Sequence, residues 1–285
     1  MAGILSGLKS LGLDKLEGLE IFEDEEKKGL KIQKKAEAKE PAVLEEKDLI
    51  YDKTFTCAVC DKEFSSKIMK TGKAKLIATD IDLHYRYENI DAIKYDVVTC
   101  PKCGYSALLR YFPMTTSAQA KLIKANVYGK VKLSPISGET YSYEDMLERY
   151  KLALVCSIVK RAKDSEKAYV CLKNAWLLRG YAEELELKNE LTEEQRQELK
   201  TQELEYIQNA LDGFINAVQR ESFPICGMDV LTIDYLIAAL AFQVGKDDIA
   251  AKKVAEILVS NAANERVKNR ARELKRMILE RHKKG

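Results

Sequence analysis

Histidine is scarce in this sequence, with two among 285 residues, and no Ser/His/Asp set, glycine-rich phosphate loop or second metal cluster accompanies them. Acid–base catalysis near neutral pH has little to draw on, so a non-enzymatic role is expected. Also missing is any run approaching the roughly 18 uncharged apolar residues that cross a bilayer. The stretch Met1–Asp14 superficially resembles a signal peptide, but Lys9 and Asp14 interrupt it and no small-residue cleavage site follows. A cytoplasmic chain without a membrane partner is expected. Net charge is almost absent, 47 basic side chains facing 45 acidic ones, so attraction to nucleic acid or anionic lipid requires a local patch.

What is present is enough apolar material, 46% of residues, for a real core, and a length that suits about two units at roughly 150 residues each. Seven cysteines is an odd number. Four of them form two Cys-x-x-Cys pairs, a pattern that in a reducing compartment points to metal rather than disulfides.

Composition divides the chain into 1–48, 49–113 and 114–285. Ile4, Leu8, Leu11, Leu19 and Phe22 share a helical stripe, but Gly3, Gly7, Gly12 and Gly18 weaken it, each by about 1 kcal/mol. The segment reads as a docking peptide or a frayed extension. Glu23–Asp48 is dominated by charge and reads as a linker or solvated helix. In 49–113, Lys73–Thr79 and Tyr95–Thr99 read as short strands bounded by turn formers. Beyond Pro113 the pattern is helical, with room for about five helices interrupted near Ser134–Glu139 and Phe223–Gly227.

Cys57, Cys60, Cys100 and Cys103 are the candidate ligands for one structural zinc ion. Tetrahedral zinc accepts four thiolates as a closed shell, and a two-residue spacing lets one tight turn aim both sulfurs at the same ion. Pro101 fixes φ in the second turn, and Gly104 can take the positive φ that follows it. Asp61 is the tolerable substitute in the first turn. The separation of Cys60 from Cys100 exceeds the roughly 15–20 residues usual between such pairs, so an enlarged excursion through Asp80–Asp91 must join them. A complete cysteine shell leaves no position for substrate, which argues against catalytic zinc. His84, distant from both turns in sequence, reads as a surface or loop residue.

Tyr150–Cys156 and Lys167–Gly180 read as an antiparallel helix pair, and Asp234–Leu258 as a second pair closed and reopened around Gly245. A long helix spans about Thr192–Gln219 between them. Such pairs are similar to tetratricopeptide repeats, which offer concave protein-binding surfaces; a plain helical bundle is the alternative. Trp176, Tyr169 and Tyr235 fall on apolar stripes and read as core, as do Cys156 and Cys171, leaving Cys226 in a turn as the candidate reactive thiol. In the last helix Arg266, Lys268, Arg270, Arg272, Lys275, Arg276, Arg281, Lys283 and Lys284 outnumber Glu265, Glu273 and Glu280. That face can attract phosphates or simply complement the helix dipole.

Leu49–Phe64 with its first cysteine turn, Tyr95–Tyr105 with its second, the Ala175-Trp176 helix and Tyr235-Leu-Ile together resemble the bacterial domain-of-unknown-function family 2225. The resemblance implies that the four cysteines are metal ligands and that the following helices form a tetratricopeptide-like segment. The fold class expected is α+β, predominantly α: a small four-cysteine zinc-ribbon module followed by an all-helical domain. The expected role is a non-enzymatic scaffold for an unidentified protein partner. A nucleic-acid-associated factor using the basic last helix, with Lys67, Lys70, Lys73 and Lys75, is the alternative.

Overall fold

The computed structural model describes residues 44–284 apart from Ser137. The readings of 1–22 and of most of the charged segment lie outside the described residues. Three antiparallel hairpins come first: β1 (Ile50–Thr56) with β2 (Glu63–Met69), β3 (Leu76–Thr79) with β4 (Tyr85–Tyr87), and β5 (Val97–Thr99) with β6 (Ser106–Leu108). Seven α helices follow among the described residues. They are α1 (Ser117–Asn126), α2 (Tyr143–Val159), α3 (Asp164–Leu187), α4 (Glu193–Arg220), α5 (Val230–Gln243), α6 (Asp247–Val259) and α7 (Glu265–Lys284). The fold is therefore α+β and predominantly α.

Helix starts are written locally. The side chains of Thr116, Ser142, Thr192 and Asp229 each accept the backbone N–H three residues on, a cap worth about 1 kcal/mol. Gly245 ends the α5 region at φ +76°, a conformation open to glycine without a Cβ penalty. The long α4 packs against α3 closely enough that a Cβ at Gly213 would lie 2.7 Å from the Cβ of Ala168.

The hairpins do not carry a core of their own. Leu49, Ile93, Tyr95 and Leu108 are buried in one apolar cluster with Tyr150, Trp176, Phe214 and Leu236 from the helices. The Tyr150 hydroxyl donates to the Ile93 carbonyl at 2.9 Å, and α2 lies against β5 and β6. Two-stranded hairpins, here of three to seven residues a strand, are at best marginal alone, so burial against the helices is what holds them. Glu46, from the charged segment, is tied into this body by the Tyr95 hydroxyl at 2.8 Å and by Lys94 Nζ at 2.6 Å. Among the described residues no helix is long and apolar enough to cross a membrane.

Candidate metal centre

Both cysteine pairs occupy hairpin turns. The register from Ile50↔Met69 to Thr56↔Glu63 leaves Cys57–Lys62 as the turn of the first hairpin. Val97↔Leu108 to Thr99↔Ser106 leaves Cys100–Tyr105 as the turn of the third. The two turns are built alike: Cys57 N–H donates to the Lys62 carbonyl at 3.0 Å and accepts at its own carbonyl from Asp61 N–H at 2.9 Å. Cys100 does the same with Tyr105 at 2.8 Å and Gly104 at 3.0 Å. Closing each turn places its fifth residue in the left-handed region, Asp61 at φ 58° and Gly104 at φ 75°. The sequence singled out these two positions for that conformation.

The turns converge. Cys57 Sγ lies 3.5 Å from Cys103 Sγ and Cys60 Sγ 3.7 Å from Cys100 Sγ, and all four sulfurs fall within 4.8 Å of one another. A disulfide requires about 2.05 Å, so these are four separate thiols. Four sulfurs at about 2.3 Å from a central zinc would stand about 3.8 Å apart, close to the separations seen. Burial matches the spacing, since Cys57, Cys100 and Cys103 are enclosed and Cys60 is half-buried. Val59 N–H points at Cys57 Sγ at 3.4 Å, the kind of backbone donor that orients a thiolate ligand.

Without a cation four such thiols cannot all ionise, because like charges this close repel. Hydrogen bonds from Cys103 and Cys57 hold Cys100 well below the usual thiol range. Hydrogen bonding to Cys100 correspondingly pushes Cys57 and Cys103 upward. A divalent ion removes that conflict by replacing the shared protons. Around the cluster Phe55, Phe64 and Phe112 pack edge-on or stacked, with centroids 5.8–6.0 Å apart. Tyr105 stacks on Phe112 at 4.9 Å, and Ile123 of α1 and Leu152 of α2 close the apolar shell. Water is thus kept from most of the sulfur surface.

With the two turns set in this shell, comparison with known families becomes informative. A family model described as "Uncharacterized protein conserved in bacteria (DUF2225)" matches residues 50–278. The chain belongs to the DUF2225 family. Among curated proteins and solved structures, none matches. The matched span takes in both cysteine turns of this DUF2225 chain and reaches into α7.

Two sequence readings are corrected. His84 lies in the β3–β4 loop, as read, but is not a surface residue: it is 3% exposed, and its ring stacks on Trp176 at 4.8 Å with an 8° interplanar angle. Its Nδ1 is 3.6 Å from Asp80 and its Nε2 3.5 Å from Asp91. Burial works against protonation, but the two carboxylates outweigh it and raise the His84 pKa. The same hairpin enters an ionic hub in which Arg179 of α3 reaches Asp80 at 2.9 Å, Asp82 at 2.6 Å and Glu203 of α4 at 2.8 Å. Asp82 is fully buried, yet Arg179 keeps its pKa low against the cost of desolvation. Asp80, Asp82 and His84 belong to the turn between β3 and β4, and their clustering of charge with Arg86 was the available signal for an ordered polar turn. Cys226 is the second correction. It is 8% exposed and burial raises its pKa, so it lacks the accessible thiolate a reactive cysteine needs. Cys156 and Cys171 are buried as read, each pushed up to about 11 by desolvation.

Proposed function

We propose that Cys57, Cys60, Cys100 and Cys103 hold one structural zinc ion, and that the chain serves in the cytoplasm as a non-enzymatic scaffold whose helices meet another protein. The supporting observation is the meeting of four buried or half-buried sulfurs within 4.8 Å at two hairpin tips. Thiolates suit zinc, and four of them close its tetrahedral shell, leaving no place for substrate. When bound, the ion supplies a cross-link. The chain's own contribution is to present the sulfurs on rigid turns and exclude water with Phe112, Tyr105 and Ile123.

The helix pairs α2–α3 and α5–α6, each joined by a short turn, support a tetratricopeptide-like reading of the scaffold. Val155 and Ile158 on α2 are 48% and 58% exposed and share one face at i, i+3 spacing. The nucleic-acid alternative is less well supported. Arg272 pairs with Glu265, Arg276 with Glu280, and Arg281 with Asp247. Arg281 also lies over the Phe242 ring at 3.6 Å, so at least three of the basic groups of α7 already have partners within the chain. Lys67 and Lys75 likewise face Asp52 and Glu88.

The test is affinity purification from the native cell of the zinc-loaded chain and of a Val155→Asp/Ile158→Asp variant. A partner recovered at equal stoichiometry and lost from the variant is expected. Salt-sensitive retention on nucleic acid with no stoichiometric protein would overturn the scaffold reading.

A further inference from the structure

A cavity of about 460 Å³ opens between the middle hairpin and α3, and none of the four cysteines lines it. Its size lies within the range of small-molecule sites, roughly 300–1,000 Å³. The walls are apolar and aromatic, with Met69, Ile93, Tyr85, Tyr87 and Trp176 among the lining residues. That surface fits a flat hydrophobic body.

The polar groups set into these walls are mostly donors. Lys173 is 9% exposed; its ammonium sits 4.6 Å from the Tyr169 ring centroid and 5.3 Å from that of Trp176, and pairs with Asp96 at 2.5 Å. One carboxylate leaves an ammonium with donors to spare. The Trp176 indole N–H is buried and finds no acceptor among the described residues, an omission folded proteins rarely tolerate. His84, stacked on Trp176, is held towards its cationic form by Asp80 and Asp91. Lys70 stands at the same cavity. Lys70 Nζ already donates to the Asp48 carbonyl at 2.9 Å and His84 is matched by Asp80 and Asp91, so Lys173 and the Trp176 N–H are the lining donors left to a ligand. A ligand that satisfied them would bring an aromatic body and an anionic acceptor.

We propose that this cavity binds a small planar aromatic anion, its ring against the Trp176 and tyrosine wall and its acid group accepting from Lys173. Trp176 is the chain's single tryptophan, so intrinsic indole emission reports on the site alone. The probe is anilinonaphthalene sulfonate, compared with phenylnaphthylamine, which has the same rings and no charge. On the full zinc-loaded chain the sulfonate is expected to quench Trp176 saturably at one per chain, at least about tenfold more tightly than the neutral probe, a factor equal to about 1.4 kcal/mol. Ala74→Phe, which fills the cavity, is expected to abolish binding of both. Lys173→Met combined with Asp96→Asn removes the ion pair without stranding a charge and is expected to erase the preference for the anion. Melting of each variant, followed by circular dichroism, establishes that it is folded. Equal affinity for the two probes on the native chain, absence of saturable quenching, or undiminished binding in folded Ala74→Phe would each overturn the proposal.

Discussion

Gly180 stands in the body of α3, where replacing glycine by alanine ordinarily stabilises a helix by about 1 kcal/mol. Here the opposite sign is expected. A Cβ at position 180 would lie 2.7 Å from Asp91 Oδ2, 2.7 Å from the Tyr143 hydroxyl oxygen and 2.8 Å from Tyr143 Cε1. Those two oxygens are themselves hydrogen-bonded at 2.8 Å, and Asp91 is the counter-ion of His84. Overpacking a filled site costs about 1–3 kcal/mol and weakening a hydrogen bond to a charged group about 1.5–3 kcal/mol, so after the helix gain the net loss is roughly 1.5–5 kcal/mol. At about 2–4 °C per kcal/mol for a domain of this size, Gly180→Ala should melt on the order of 10 °C lower. Urea denaturation of the zinc-loaded chain supplies the free energy directly, with an unchanged slope as the sign that the unfolded state is not responsible. Tyr143→Phe in the Gly180→Ala background relieves one of the short contacts and should cost less than it does in the native chain. An alanine variant as stable as the native chain, or more so, would refute the packing described between α3, Tyr143 and Asp91.

Arg179→Met leaves the fully buried Asp82 beside Asp80 with no cation on α3 and is expected to destabilise by about 3–5 kcal/mol, measured by denaturant unfolding; a loss below about 1 kcal/mol would contradict the hub. The raised pKa of His84 implies stability that is fully present below about 6.5, its unfolded value, and declines as pH climbs through the higher folded value. Unfolding free energies across that window should fall with pH in the native chain, and His84→Gln should flatten this component; identical slopes would reject the assignment. Cys103→Ser should reduce bound zinc well below one per chain and release the tips of both outer hairpins to rapid amide exchange while most helical amides stay protected. Full metal retention in that variant would count against Cys103 as a ligand.

The cysteine turns were legible because everything that shapes them is local. A two-residue spacing, Pro101, and residues able to sit at positive φ after each second cysteine announce the geometry before any tertiary contact is known. Strands β1 and β2 gave less away. All of β1 except Ile50 and Phe55 is exposed, so the alternation of a half-buried strand is absent, and pairing with β2 supplies the order instead. β6 is a three-residue strand buried throughout, too short to show a period. The α4 helix was legible nearly to the residue because Thr192 and Gln195 form a capping box and an apolar stripe from Ile207 to Ala217 marks its second half. The helix that the sequence did not single out is α1, which is only ten residues long. His84 and Arg179 were misread or passed over for one reason: what decides their environment is the docking of the β3–β4 hairpin on α3, a contact between segments far apart in sequence.

Purified under reducing conditions and freed of loosely held metal, the chain should carry one zinc per molecule. X-ray absorption at the zinc edge should show four sulfur neighbours at about 2.3 Å and no nitrogen or oxygen in the first shell. Protein that is folded yet contains no stoichiometric metal, or a zinc spectrum requiring light-atom ligands, would contradict the four-cysteine centre.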